Sequence, residues 1–199
     1  MSTASAQTPR VKLASLADLL AIPEEQRFHE ILDGELVRKE LASPRHGLGQ
    51  SRMSRVLEPF DRKPNGPTRP GGWWILTEVT LELAIHQIER PDLAGWRRER
   101  MPTVPEAYPL RVPPDWICEV IAGSDARRRD GVQKRRIYAE HGVGHYWLLD
   151  MEREVLTVLR LTERGYVEVQ EAGRSERIHA EPFAAVELPL AVLFGEDAE

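Results

Sequence analysis

Apolar residues recur along the chain at two spacings, three to four residues apart and two apart, and the changes between them mark the predicted elements. Leu16, Leu19 and Leu20 fall at helical spacing behind Ser15, a residue suited to capping, so 15–20 reads as a short helix broken by Pro23. Ile31-Leu32 and Leu36-Val37 flank Asp33-Gly34, a dipeptide that accepts positive φ, and together they predict a β-hairpin. Ser43-Pro44 opens a second predicted helix over His46 to Phe60, with Leu48, Met53, Val56, Leu57 and Phe60 as its apolar stripe. Residues 61–72 are dense in proline, glycine and asparagine and predict a mobile surface loop.

Alternation from Trp73 to Ile85 predicts one long, half-buried strand. Arg90 to Leu93 forms a short segment before an irregular stretch from Gly95 to Pro114. Trp116 to Ile121 is an apolar run interrupted only by Glu119, the pattern of a strand buried on both faces. Asp125 to His141 reads as a helix ended by Gly142, with Val132, Ile137, Tyr138 and Ala139 on or beside one face. His145 to Asp150 is another strand, followed by antiparallel strands at Glu154–Leu161 and Tyr166–Gln170. The apolar tail from Ala184 to Phe194 is expected to dock on the core.

Composition narrows the class. The 199 residues, 41% of them hydrophobic, suffice for one domain with a full core, expected over 11–199 behind a disordered leader at 1–10. Acids outnumber bases by 32 to 27, so the net charge of −5 gives no general attraction to a polyanion, and any nucleic-acid contact must be local. Cys118, the single cysteine, excludes an internal disulfide and reads as a small buried hydrophobe, which suits a reducing cytoplasm. Every apolar run is shorter than the roughly 18 residues that span a bilayer.

Chemistry concentrates in three residues. Asp92 follows Pro91, Glu119 interrupts the apolar strand 27 positions later, and Lys134 lies on the next helix. Neighbouring strand ends could bring the two acids together. Two carboxylates suit magnesium, or manganese in its place, because hard cations take oxygen ligands and keep several waters. A bound metal would acidify a water, and a lysine could orient it or stabilise charge at phosphorus. The competing structural assignment is an ion pair between Glu119 and Lys134 or Arg135. His46 is a secondary candidate as a phosphate contact or proton shuttle near Glu35, and Glu78 is expected on a solvated face. Arg97-Arg98-Glu99-Arg100 and Arg127-Arg128-Arg129 could hold backbone phosphates or form solvated faces.

Over residues 27 to 160 the chain resembles the Uma-type endonucleases of the PD-(D/E)XK, restriction-endonuclease-like superfamily. The resemblance is carried by Glu30-Ile31-Leu32-Asp33-Gly34-Glu35-Leu36-Val37, Ser43-Pro44-Arg45-His46, Arg90-Pro91-Asp92-Leu93 and Pro114-Asp115-Trp116-Ile117-Cys118-Glu119-Val120-Ile121. Lys134 through Tyr138 to Gly142-Val143, and Tyr146-Trp147-Leu148-Leu149-Asp150, complete it. It implies an α/β fold with a mixed central sheet flanked by helices and extra antiparallel strands toward the C-terminus. It also implies Asp92 and Glu119 as magnesium ligands, Glu35 as a third carboxylate, and Tyr138 as a secondary site residue. The superfamily lysine two residues past the second acid is replaced here by Ile121, and Lys134 matches a lysine relocated to the helix. The chain departs from the family's Ser-Pro-Ser-Thr in reading Ala122-Gly123-Ser124-Asp125. The expected activity is metal-dependent hydrolysis of DNA by a homodimer; a module that keeps the fold for dimerisation or nucleic-acid binding is the alternative. A third possibility is a structural domain that binds a partner through Trp73, Trp74 and Trp96.

Overall fold

The computed structural model describes residues 12–39, 41–64 and 70–197. The expected leader at 1–10 and residues 65–69 of the expected loop lie outside them. Helix α1 (Leu16–Leu20) starts at Ser15, whose hydroxyl and backbone N–H both donate to the Asp18 carboxylate. Strands β1 (His29–Leu32) and β2 (Glu35–Arg38) form the hairpin, with Asp33 and Gly34 at φ 55° and 78°. The Ser43 side chain accepts from the His46 N–H and starts helix α2 (Pro44–Val56), which ends one turn earlier than its apolar stripe suggested.

The long strand expected over 73–85 is two strands in two sheets, β3 (Trp73–Thr77) and β4 (Leu81–Ala84). Glu78 separates them at φ 55°, held there by its backbone N–H on the Asp92 carbonyl and by its carboxylate on Arg90 and Lys39. The stretch expected to be irregular from Gly95 begins as strand: β5 (Gln87–Glu89) leads into β6 (Leu93–Arg97). Strand β7 (Trp116–Ile121) is buried throughout. The helix expected at 125–141 is three pieces: α3 (Ser124–Arg128), a π-helical segment Arg129–Lys134, and α4 (Arg135–Glu140). Strands β8 (His145–Asp150), β9 (Val155–Thr162) and β10 (Gly165–Gly173) follow. The tail contributes β11 (Arg177–Ile178), β12 (Leu188–Pro189) and α5 (Leu190–Leu193).

These strands make a six-stranded sheet in the order β10-β9-β8-β7-β6-β3 and a four-stranded one in the order β2-β1-β5-β4, beside the β11-β12 pair. Strands β7 and β8 run parallel, joined by the α3-to-α4 crossover, and the other paired strands among the described residues are antiparallel. Alternation along β7 then decides what each side chain meets. Trp116, Cys118 and Val120 face a core with Met53 of α2, with Leu57 just past its end, and with Phe183, Leu190 and Leu193 of the tail. Ile117 belongs to the opposite core, with Ile137 and Tyr138 of α4 and Leu81 of the smaller sheet. Glu119 shares that parity. Trp73 and Trp96 are buried within these cores and Trp74 is half-buried, so they form no open partner patch. No helix among the described residues is long and apolar enough to cross a membrane.

Candidate active site

Strand pairing brings the two acids together. Leu93 of β6 stands opposite Cys118 of β7, which sets Asp92, just outside β6, beside Glu119. The Asp92 backbone N–H points at Glu119 Oε2 across 3.4 Å, and the Val120 N–H donates to Asp92 Oδ2 at 2.7 Å. Lys134 reaches them from the helical crossover. Its Nζ donates to Glu119 Oε1 at 3.0 Å and Glu30 Oε1 at 2.8 Å, and lies 3.7 Å from Asp130 Oδ1. Tyr138 Oη donates to the same Glu119 Oε1 at 2.7 Å. The chain here follows the π-helical turn, a rare geometry frequent at functional sites.

The N-terminal elements close the other side. His46, in the first turn of α2, places Nε2 2.9 Å from Asp92 Oδ2; one turn on, Gln50 Nε2 donates to the Asp92 carbonyl at 2.9 Å. Lys39, just past β2, donates to Asp92 Oδ1 at 2.8 Å and to the Arg90 carbonyl at 2.7 Å. Glu78, expected on a solvated face, instead lies 3.3 Å from Lys39 Nζ and 2.9 Å from Arg90 Nε. A small cavity of about 60 Å³ opens among Lys39, His46, Asp92, Glu119, Asp130 and Lys134.

The carboxylates carry unequal electrostatic loads. Burial pushes Glu119 up to about 8; Lys134 opposes that shift and Asp92 reinforces it. A lysine acting alone would have pulled Glu119 down. Burial also works against the charge on Lys134, but Glu119, Glu30 and Asp130 outweigh it and hold its proton firmly. Glu30 settles below the usual carboxylate range because Lys134, followed by Lys39, overcomes its burial. Asp92 is also low: burial opposes ionisation, and the His46 hydrogen bond and Lys39 override it. Asp130 is raised by burial against the pull of Lys134 and Arg129.

Among the described residues no three His, Cys, Asp or Glu side chains form a ready metal-ligand cluster. The donor set nonetheless fits a hard cation of the magnesium type, which commonly takes one or two carboxylates and fills its other positions with water and phosphate oxygens. Each carboxylate oxygen has two lone pairs, and Glu119 Oε2 carries only the long contact to Asp92. Asp130 Oδ1, buried at the same cavity, makes no hydrogen bond. Asp92 and Glu119 are the adjacent pair of carboxylates in this set, with Asp130 beside them on the same cavity.

A protein-family model described as "Putative restriction endonuclease", Uma2, matches residues 16–192. The chain belongs to the Uma2 family. A crystal structure from Anabaena variabilis, described as that of a putative nuclease belonging to DUF820, matches with a TM-score of 0.65 at 20% identity, covering 90% of this chain and 97% of that one. At that identity the likeness establishes a shared fold. No curated protein matches the sequence.

Within this Uma2 domain Asp92, Glu119, Lys134, Tyr138 and His46 converge, although His46 meets Asp92 and not Glu35. Glu35 does not join them. It lies on the exposed edge strand β2, two residues along from Val37, the residue opposite Glu30, and lines a separate depression with Arg128 and Gln133. The carboxylate that Lys134 bonds alongside Glu119 is Glu30. Sequence reasoning also missed Lys39 and Asp130. The period-two parity of Glu30 with the core residue Leu32 was the available signal for Glu30, and the i,i+4 spacing of Asp130 and Lys134 was one for Asp130; Lys39 left none.

Proposed function

We propose that this protein is a divalent-metal-dependent endonuclease acting on DNA. The observation that carries the proposal is the convergence of Asp92, just before β6, and Glu119, within the neighbouring β7, with Lys134 bonded to Glu119. Family membership supports phosphodiester hydrolysis, and its restriction-endonuclease description favours DNA. When bound, magnesium or manganese would lower the pKa of a water and offset charge at phosphorus. The chain's own residues orient the ligands. Val120 N–H, Lys39 and His46 fix both oxygens of Asp92, while Lys134 and Tyr138 fix Oε1 of Glu119 and leave Oε2 toward Asp92. Lys134 assists by holding Glu119 in place. Cutting both strands of a duplex calls for two such sites, so a homodimer belongs to the proposal, and sedimentation velocity checks it.

One observation favours the alternative of a non-catalytic nuclease-fold module: protein donors already approach every oxygen of Asp92 and Glu119. Incubation of purified protein with linear and circular DNA, with and without magnesium, separates the two. Metal-dependent cleavage that disappears in Asp92→Asn, together with magnesium binding by calorimetry, is expected. Neither binding nor cleavage by the wild type would leave the module.

A further inference from the structure

The site contains two lysines, and they differ in what they can reach. Lys134 is 1% exposed at its side chain, and three acids share its ammonium. Moving it toward a substrate would strand Glu30 as a buried charge and break its bond to Glu119, which is costly. Lys39 sits differently. Its side chain is 15% exposed, it lines the same cavity, and it stands directly on Asp92. Its backbone N–H is anchored on the Phe28 carbonyl at 2.8 Å, so the four-carbon stem swings from a fixed point.

The ammonium has three donors, and they are unequally committed. Two short bonds run to Asp92 Oδ1 and the Arg90 carbonyl, at 2.8 and 2.7 Å. The contacts to Glu78 are long, 3.3 and 3.4 Å, and Glu78 retains Arg90 Nε at 2.9 Å when Lys39 turns away. Glu78 lies outside the cavity that Lys39 lines with Asp92, so a phosphate oxygen entering that cavity takes a Lys39 donor by turning the ammonium off its long Glu78 contacts, the weakest it makes. We propose that Lys39 is the lysine that touches the substrate, donating to a non-bridging oxygen of the scissile phosphate, and that Lys134 is a positioning residue acting through Glu119. This inference rests on the nuclease function proposed above. It places the phosphate against the Asp92 side of the cavity, away from the buried Glu30.

Binding in EDTA isolates the contact from catalysis. Fluorescence anisotropy would be measured with short single- and double-stranded DNA carrying one neutral methylphosphonate, moved stepwise along the strand. The wild type is expected to show one position where neutralisation weakens binding about tenfold, the size of a charged contact. Lys39→Gln keeps an amide donor for Asp92 but removes the charge. It should bind unmodified DNA about tenfold more weakly, lose sensitivity at that position, and lower the salt slope by about one. Lys39→Arg should restore the sensitivity, and Lys134→Met, checked for folding by circular dichroism, should retain it. Full sensitivity in Lys39→Gln, or its loss in folded Lys134→Met alone, would overturn the assignment while leaving the nuclease proposal standing. A wild type that neither binds nor cuts any DNA would overturn both.

Discussion

Lys134 illustrates how one buried charge organises several acids. Glu30, Glu119 and Asp130 are all sealed from solvent, and each would pay a large desolvation cost as an anion without the ammonium between them. Lys134→Met removes that counter-charge and leaves the acids to be compensated only by protons or by water in the small adjoining cavity. The expected loss of stability is about 3–5 kcal/mol, the range for breaking one partner out of a buried pair. Urea titration checks it, and a midpoint equal to the wild type's would show that the acids simply take up protons at little cost. Glu89 makes the complementary case. It is fully buried on β5, neither carboxylate oxygen has a hydrogen-bond partner among the described residues, and burial, then Glu30, raises its pKa well above the ordinary 4.5. An acid whose folded pKa is raised binds its proton more tightly in the native state. Its contribution is therefore fully present below the ordinary value and is lost as pH climbs toward the folded one. Glu89→Gln carries a neutral amide at every pH, so its melting temperature should exceed the wild type's at pH 8 and converge with it near pH 4. Parallel melting curves across that range would show that Glu89 ionises normally.

At the scale of elements, helix α2 must pack closely for His46 and Gln50 to reach Asp92. The packing depends on Gly49. A Cβ there would lie 2.5 Å from Met151 Sδ and 3.1 Å from Val120 Cγ1, and Met151 is fully buried, with little freedom to retreat. Gly47, half a turn earlier on the same helix, would meet nothing within 4 Å. Gly47→Ala should therefore gain up to about 1 kcal/mol from helix propensity. Gly49→Ala should lose about 1–3 kcal/mol through overpacking and should weaken any activity by lifting His46 from Asp92. Thermal melts that rank the two variants the other way would refute this account of the packing. The same comparison marks the limit of sequence pattern. Ser43-Pro44, Asp33-Gly34 and the apolar run of β7 were legible because cap, turn and two-sided burial each leave a local signature. The break at Glu78 was not. Alternation continues on both sides of it, and what bends the chain is a set of partners, Lys39, Arg90 and Asp92, that are distant in sequence. The π-helical segment escaped for the same reason, because its residues alone read as ordinary helix. Glu30 and Glu35 flank one turn; parity with Leu32 hints that Glu30 turns inward, and the pairing of β1 with β5 and β2 makes β1 the inner strand and β2 the edge.

Across the whole molecule the arginine runs look like a surface built for phosphate, yet most are spent internally. Arg98 stacks 3.4 Å over the Trp74 ring and donates to the Trp73 carbonyl, Arg97 lies 4.9 Å over Trp73, and Arg100 pairs with Asp115. Arg127 bonds Asp150 and Glu152, and Arg136 bonds Asp33 and Glu140. With a net charge of −5, the molecule also has no long-range field to draw in a polyanion. Affinity for DNA must then come from the few cations that line the cavity, which include Lys39 and the Asp130-paired Arg129. Counterion release converts this into a number: with about two or three phosphates neutralised, log affinity against log salt should fall with a slope of about −2 to −3. Anisotropy titrations over a series of sodium chloride concentrations measure it directly. A slope steeper than about −6 would mean that the arginines leave their internal partners for phosphates when DNA binds. Arg98→Ala separates the two cases, because an arginine spent on tryptophan should cost stability when removed and leave the salt slope where it was.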